Sequence, residues 1–412
     1  MAEYHLLEQL ASELLSRFPR TKAKVKYAYQ YANYLMYGDS EFEYSVHSQA
    51  ELYSPQKWFG RDDDRDGVFF GYYDASPLRP AGDQAVFHQH RSNEEVTIVR
   101  YSRDGVDELA TSTAWNYQQG SRLQWLPGHD RIVFNDFQDG ELVAHVLNKD
   151  GKQVATYDRP VQSISPTGEE YVSLNYHRIG RNRPDYGYDY DRTDLDPEQD
   201  GLWIVDVPSG QYRQVVSLAD LIHNSVDQLN HYLNHVLYNP SGERFVFLHR
   251  WYDGQGRSSR LYDSASLDSP VVAWKIISHY CWLNDAQLLV WGNSDDFGRG
   301  YHVINLDTNS VSYLEALSGS GDGHPSVSPN GRWIVTDTYP NRARERKLLL
   351  YDRYEQSVTE LGRFFSPLTY TGPSRCDLHP RWGPDGSVIS LDSTHQERRN
   401  TYFVDVSELV AD

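Results

Sequence analysis

The chain is poor in cysteine. Two in 412 residues, Cys281 and Cys376, cannot build the disulfide framework of a small secreted module. Positive charge is also scarce: 39 Lys and Arg stand against 58 Asp and Glu, a net charge of −19. That balance argues against nucleic acid or an anionic membrane as a general partner. It also obliges any polyanionic substrate to find a locally positive site. No stretch approaches the roughly 20 apolar residues of a membrane span. The N-terminus shows no apolar run ahead of a small-residue cleavage site, so the expected location is the cytoplasm.

Aromatic residues are plentiful, with 31 tyrosines and ten tryptophans. Such residues suit strands, and they also suit carbohydrate-binding surfaces. They fall within a repeated pattern. The stretch GHPSVSPNGRWIVTDTYP (Gly323 to Pro340) reads as a strand, a Ser-Pro-Asn-Gly turn and a second strand through Trp333, Ile334 and Val335. Similar hairpins start near Tyr72, Arg122, Val161, His235, His279 and His379. Their turns carry Pro77, Pro127, Pro166, Pro240, Pro329 and Pro384, with Asn284 standing in for the fifth unit. Most units are followed by another strand pair. A repeat of about 40–55 residues with four strands is the signature of a propeller blade. The expected fold is therefore all-β, a seven-bladed β-propeller with a short α-helical extension.

Residues 1–38 read as that helical extension, residues 39–68 as a connector, and residues 69–412 as the propeller. Leu6, Leu7, Leu10, Leu14 and Phe18 recur at helical spacing, Pro19 interrupts them, and a second helix runs to Gly38. Arg17, Arg20, Lys22, Lys24 and Lys26 make a basic cluster. It is expected either to pack against the propeller or to dock a partner or membrane surface. Part of the connector is expected to add a closing strand to the last blade. The longest interval between turns, Pro166 to Pro240, contains the aromatic and charged segment from Asn175 to Gly201. A long loop on a rigid scaffold commonly carries function, so this segment reads as a flap over the channel.

Aligning the hairpins on their turns exposes two polar rings. The residue five before each turn is Tyr72, Arg122, Val161, His235, His279, His324 and His379. After the hydrophobic run of each second strand stand His88, Asn135, Asn175, His249, Asn293, Asp337 and Asp392. Such side chains are costly to bury without partners and useful at a channel mouth. Histidine at the start of an inner strand can serve structure alone, by bonding a neighbouring backbone group. Imidazole, carboxylate and thiolate together instead suit a divalent metal. The candidate ligands are His279, His324, His379, Cys376 and Asp337, with zinc foremost and manganese or calcium as alternatives. The rest of the rings, with His177 and Arg250, offers bases, acids and anion-binding donors suited to an acidic sugar.

Six stretches carry a resemblance: FGYYDASP, QQGSRLQWLPG, SLNYHRIGRNRPDYGYD, NHVLYNPSGERFVFLHRW, GHPSVSPNGRWIVTDTYP and RCDLHPRWGPDG. Together they resemble the seven-bladed propeller polysaccharide lyases, nearest the ulvan lyases and more distantly oligogalacturonate lyase. The resemblance covers roughly residues 68–408 and implies β-elimination on a uronic-acid glycan. Such a reaction needs a neutralised carboxylate, a base for the C5 proton and an acid for the departing O4. The resemblance implies a metal held largely by histidines, with His279 and His324 in similar stretches. It also implies His and Tyr as proton-transfer residues and Arg as carboxylate partner. His249, Arg250 and Tyr188 match those roles, with His235 and His177 as further catalytic candidates. Tyr72, His88, Arg122, Asn135, Arg178 and Arg183 are the expected substrate-binding residues. Asn116 and Asn135 occupy positions where the ulvan-type enzymes are expected to carry histidine. The expected function is a polysaccharide lyase acting on an acidic polysaccharide or oligosaccharide. The alternative is a non-catalytic glycan- or protein-binding propeller in an exopolysaccharide pathway.

Overall fold

The computed structural model describes residues 19–61, 67–188, 195–222, 228–253 and 256–411. Seven antiparallel sheets succeed one another along the chain, spanning 68–112, 124–157, 163–217, 231–263, 276–313, 326–365 and 381–405. Each is a blade of a seven-bladed β-propeller whose first strand lies innermost. Apolar residues alternate so that both faces of a blade are buried. One cluster holds Val246, Leu248 and Leu261 of the fourth blade against Ile277, Leu288 and Val290 of the fifth. Cys281 lies in another such cluster with Leu289, Tyr301 and Ile334, as a core side chain.

The connector closes the circle. Glu51–Tyr53 pairs with Asn400–Asp405 as the outer strand of the seventh blade, and Tyr44–Val46 adds a fifth strand to the sixth. Ahead of them runs the helix Pro19–Tyr37, touching the sixth blade through Tyr34 against Phe365. The first expected helix, Leu6 to Phe18 with Arg17, lies outside the described residues, as do the side chains of Arg20, Lys22 and Lys24. Among the described residues nothing supports a docking site on these helices, and no helix is long and apolar enough to cross a membrane.

Two repeated side-chain bonds join the blades. The residue two before the turn reaches back to the preceding blade. Trp125 donates to the Pro77 carbonyl at 2.7 Å, Trp282 to Leu237 at 3.1 Å and Trp382 to Ser326 at 3.1 Å, while the Tyr238 hydroxyl donates to Glu170 at 2.8 Å. The end of the second strand reaches forward. There a polar side chain meets the backbone where the next blade's inner strand begins, a backbone its own sheet leaves unpaired. His88 Nε2 accepts from Ser121 N at 3.0 Å. Asn135 exchanges two bonds with Val161, at 2.7 and 3.0 Å. Asp337 accepts from His379 N at 3.1 Å, and Asp392 accepts from Gly71 N at 3.1 Å. Four members of the second ring are thus clamps between blades. Gly120 makes room for the first of them, since a Cβ there would lie 2.2 Å from His88 Cε1.

Replacing Asn135 by Ala should leave the buried Val161 N–H without its partner, while the Val161 C=O keeps the Tyr176 hydroxyl at 3.0 Å. The expected loss is about 2 kcal/mol, within the 1–3 kcal/mol of one stranded group. Urea denaturation measures it, with unchanged far-ultraviolet dichroism as the control for fold.

Candidate functional site

The first ring gathers where the inner strands begin. β-Bulges fall at His235, between Asn234 and Leu237, and at His279, between Ile277 and Tyr280. A bulge re-aims the side chain it carries. Arg122, His235 and His379 adopt left-handed backbone angles, with φ of 56°, 52° and 46°. Such angles cost a non-glycine residue of order 1 kcal/mol or more, and the surrounding bonds must hold them.

Four histidines from consecutive blades adjoin as a result. Ring centroids are 5.8 Å apart for His235 and His279, 4.1 Å for His279 and His324, and 4.3 Å for His324 and His379. Tyr72 completes the arc, 5.0 Å from His379 and 5.3 Å from His235, with its hydroxyl 2.8 Å from His235 Nδ1. In three of the histidines Nδ1 faces an oxygen: Asp322 Oδ1 at 3.0 Å for His279, Asp337 Oδ1 at 2.8 Å for His324, and the Gly71 carbonyl at 2.7 Å for His379. Each bond assigns the proton to Nδ1 and leaves Nε2 as a lone pair, the arrangement of metal-binding imidazoles. Nε2 of His324 and of His379 is buried without a hydrogen-bond partner.

Asp377 lies beside these two histidines. Ligand atoms of His324, Asp377 and His379 all fall within 4.8 Å of one another. Arg346 stands 2.9 Å from Asp377 Oδ1 without hydrogen-bond alignment, and Arg375 bonds Oδ2 at 2.8 Å. Burial works against this carboxylate's charge, but Arg375 and Arg346 outweigh it and hold its pKa well below the usual range. Two imidazole lone pairs and an ionised carboxylate fit a divalent cation, with His279 adjoining. Asp377 was missed in sequence. Its signal is the Asp-x-His spacing, which recurs at Asp322 and His324 and puts both side chains on one side of an extended strand.

Two expected ligands have other surroundings. Asp337 accepts from His324 Nδ1 and from the His324 and His379 backbones, so it orients the two histidines. Cys376 is buried, its nearest polar partner is the Asp377 carbonyl at 3.9 Å, and burial pushes its thiol up to about 11. A thiol so placed is a poor source of thiolate.

The proposed proton-transfer residues are divided by strand alternation. Arg250 turns toward the arc, donating to the carbonyls of Ile277 at 2.7 Å and Ser278 at 3.1 Å. Among the described residues no carboxylate pairs with it, and burial beside Arg257 pushes its pKa down to about 10. His249, its neighbour in the strand, faces the other way and meets His231 at 2.9 Å and Trp251 at a centroid distance of 5.2 Å. Tyr188 also lies elsewhere, stacked on Tyr176 and bonded to the Gly120 carbonyl at 3.0 Å. Among the described flap residues Tyr186 reaches the arc, 5.8 Å from Tyr72 and 6.2 Å from His235. His235 itself is kept neutral, its pKa drawn well below the usual value by burial and by Arg250.

The remaining candidates are engaged in structure. Arg122 forms a bidentate pair with Asp74 at 2.9 and 3.0 Å. Arg178 is buried against Asp200, and His177 is buried on the same short helix, Tyr176–Asn182, near Phe137. Arg183 pairs with Asp185, which Arg375 also binds at 2.6 Å. Arg375 thereby ties the flap to Asp377. Asp189 to Asp194 of the flap lie outside the described residues.

No protein-family model and no curated protein matches the chain. Solved structures do. An oligogalacturonate lyase from Vibrio parahaemolyticus matches with a TM-score of 0.62 and 11% identity, over 89% of this chain and 97% of that one. An oligogalacturonate lyase in complex with manganese matches with a TM-score of 0.63 and 13% identity, over 90% and 97%. At these identities the likeness shows the fold. It does not carry the nearer relationship to ulvan lyases.

Manganese or zinc should raise the melting temperature by several degrees, since a ligand at 100 times its Kd adds about 2.7 kcal/mol. His379→Ala should abolish the shift and Cys376→Ser should keep it, as differential scanning fluorimetry would show. Acid should act through the buried neutral histidines. Burial depresses His88 to about 4 and His395 to about 3, so the unfolded chain takes up protons first as pH falls below about 6.5. Stability is then complete above that pH and declines toward about pH 4, as melting curves across the interval should record.

Proposed function

We propose that this protein is a propeller glycan lyase, cleaving a uronate-bearing oligosaccharide by β-elimination at the histidine arc. The observation that carries the reading is the juxtaposition of a neutral His235 with Tyr72, between Arg250, which has no carboxylate partner among the described residues, and a His/Asp group that could hold a metal. The fold shared with the oligogalacturonate lyases supports it, and these neighbours do not favour the binding-only alternative.

A divalent cation held by His324, His379 and Asp377, with His279 adjoining, would neutralise the uronate carboxylate and acidify the C5–H bond. Manganese is the cation found with a neighbour of the same fold. Arg250 would bind the carboxylate as a second cation, released from competition by the lack of any carboxylate partner among the described residues. His235, unprotonated at neutral pH, would accept the C5 proton. The C5 electron pair forms the C4=C5 double bond as the C4–O4 bond breaks. Tyr72, protonated because burial raises its pKa well above the usual value, would donate to O4. The direct Tyr72–His235 contact then returns the proton to Tyr72, restoring both groups. Tyr186 would cover the sugar from the flap side.

Incubation with a panel of uronic-acid oligosaccharides and manganese should raise the ultraviolet absorbance of the unsaturated product. His235→Ala and Arg250→Ala should each lower kcat/KM by about 100-fold or more, the scale of one lost acid-base or charge-stabilising group. A flat trace across the panel with metal supplied would remove the lyase reading.

A further inference from the structure

A cleft opens between the fourth and fifth blades. Its volume is about 370 Å³, and Trp251, Ser258, Ser259, Arg260, Trp274 and Lys275 line it. The two blades it joins are those that hold His235 and His279. Trp251 follows Arg250 directly, and Lys275 precedes the strand Ile276–Trp282, which carries His279. At about 3.3 Å per residue the four positions from Lys275 to His279 span roughly 13 Å. An oligosaccharide of a few units could reach both places.

The chemistry of the cleft is distinct in a chain of net charge −19. Among the described residues it holds two cations, Arg260 and Lys275, and no acidic side chain lines it. Among the described residues neither cation is ion-paired. Arg260 lies over the Trp251 ring at 5.0 Å, while the Lys275 ammonium is exposed. Trp274 is half-buried and rigidly held. Its ring packs at 4.8 Å on the fully buried His302 and covers Gly292, where a Cβ would meet it at 2.7 Å. Trp251 is held in the same way, stacked on His231 at 5.6 Å. Fixed indole edges, serine hydroxyls and unpaired cations form a surface for a ring that is apolar on one face, hydroxylated at its edge and negatively charged.

We propose that this cleft is a distal subsite for an anionic sugar residue of an acidic oligosaccharide, separate from the residues that carry out bond cleavage. The inference rests on the proposed class of substrate. Its occupant is held by Lys275 and Arg260 through the carboxylate and by Trp274 through the ring. The cleft therefore sets which oligosaccharide length binds well, without entering the chemistry.

The test uses the full-length protein in chelator, titrated with galacturonate, mannuronate and glucuronate-containing oligosaccharides and followed by tryptophan fluorescence. The methyl-esterified galacturonate oligomer is the uncharged control. Binding of at least one acidic member is expected, weakened by salt and by esterification. Lys275→Glu and Trp274→Ala should each raise Kd about tenfold or more, the scale of one lost charge-assisted contact, and Lys275→Glu, at an exposed position, should leave the melting temperature unchanged. With manganese added, Lys275→Glu should raise KM and leave kcat near the wild-type value. Equal Kd in wild type and both variants, or no binding by any member of the panel, overturns the subsite. Absence of product absorbance with a Lys275-dependent Kd overturns the lyase reading and leaves the cleft standing.

Discussion

The structure depends on side chains that bond the backbone of the next blade. A propeller blade can satisfy its own ladder but not the N–H groups where its inner strand begins, because no strand lies on that side. His88, Asn135, Asp337 and Asp392 supply those partners from the preceding blade. Asp337 shows how closely the clamp and the site are joined. One of its oxygens fixes the His324 backbone and the His324 ring, and the other fixes the His379 backbone. Closure of the circle and orientation of two imidazoles are one set of bonds. Replacing such a buried acceptor strands several donors at once.

Electrostatics divides the arc into two halves. On one side Asp322, Asp337 and Asp377 surround the histidines. There His324, although burial works against its charge, is raised by Asp337 and its neighbours. On the other side Arg250, Arg183 and Arg257 act on His235, which burial and those cations keep neutral. A protein with a large net negative charge thus gathers guanidinium groups on one side of the arc. Arg375 joins the halves, binding Asp377, Asp185 and the Tyr186 hydroxyl. Through it the flap and the Asp377 carboxylate share one cation.

The turns were legible in the chain because proline and Asn-Gly impose local backbone angles that no tertiary contact needs to supply. From them the blade count and the common position of His235, His279, His324 and His379 follow. The roles of individual polar residues were less legible. His249 and Arg250 are adjacent in sequence, yet a strand sends neighbours to opposite faces, and only the choice of face decides which reaches the channel. His88, Asn135 and Asp337 have the composition of a site but serve the blade junctions. Asp377 carries an Asp-x-His spacing along its own segment, but only the closed ring brings it to His324 of the neighbouring blade.

The sequence by itself determined the seven-fold repeat, the positions of its turns and the excess of histidine at one end of the inner strands. These are local properties, set by residue type and period. Tertiary structure alone decided which histidine nitrogens remain as lone pairs, since Asp322, Asp337 and the Gly71 carbonyl come from other strands or other blades. It also decided that Arg250 has no carboxylate partner among the described residues while Arg122 has one. Partnership between charges depends on distances across the closed ring, and no pattern along a single strand encodes them.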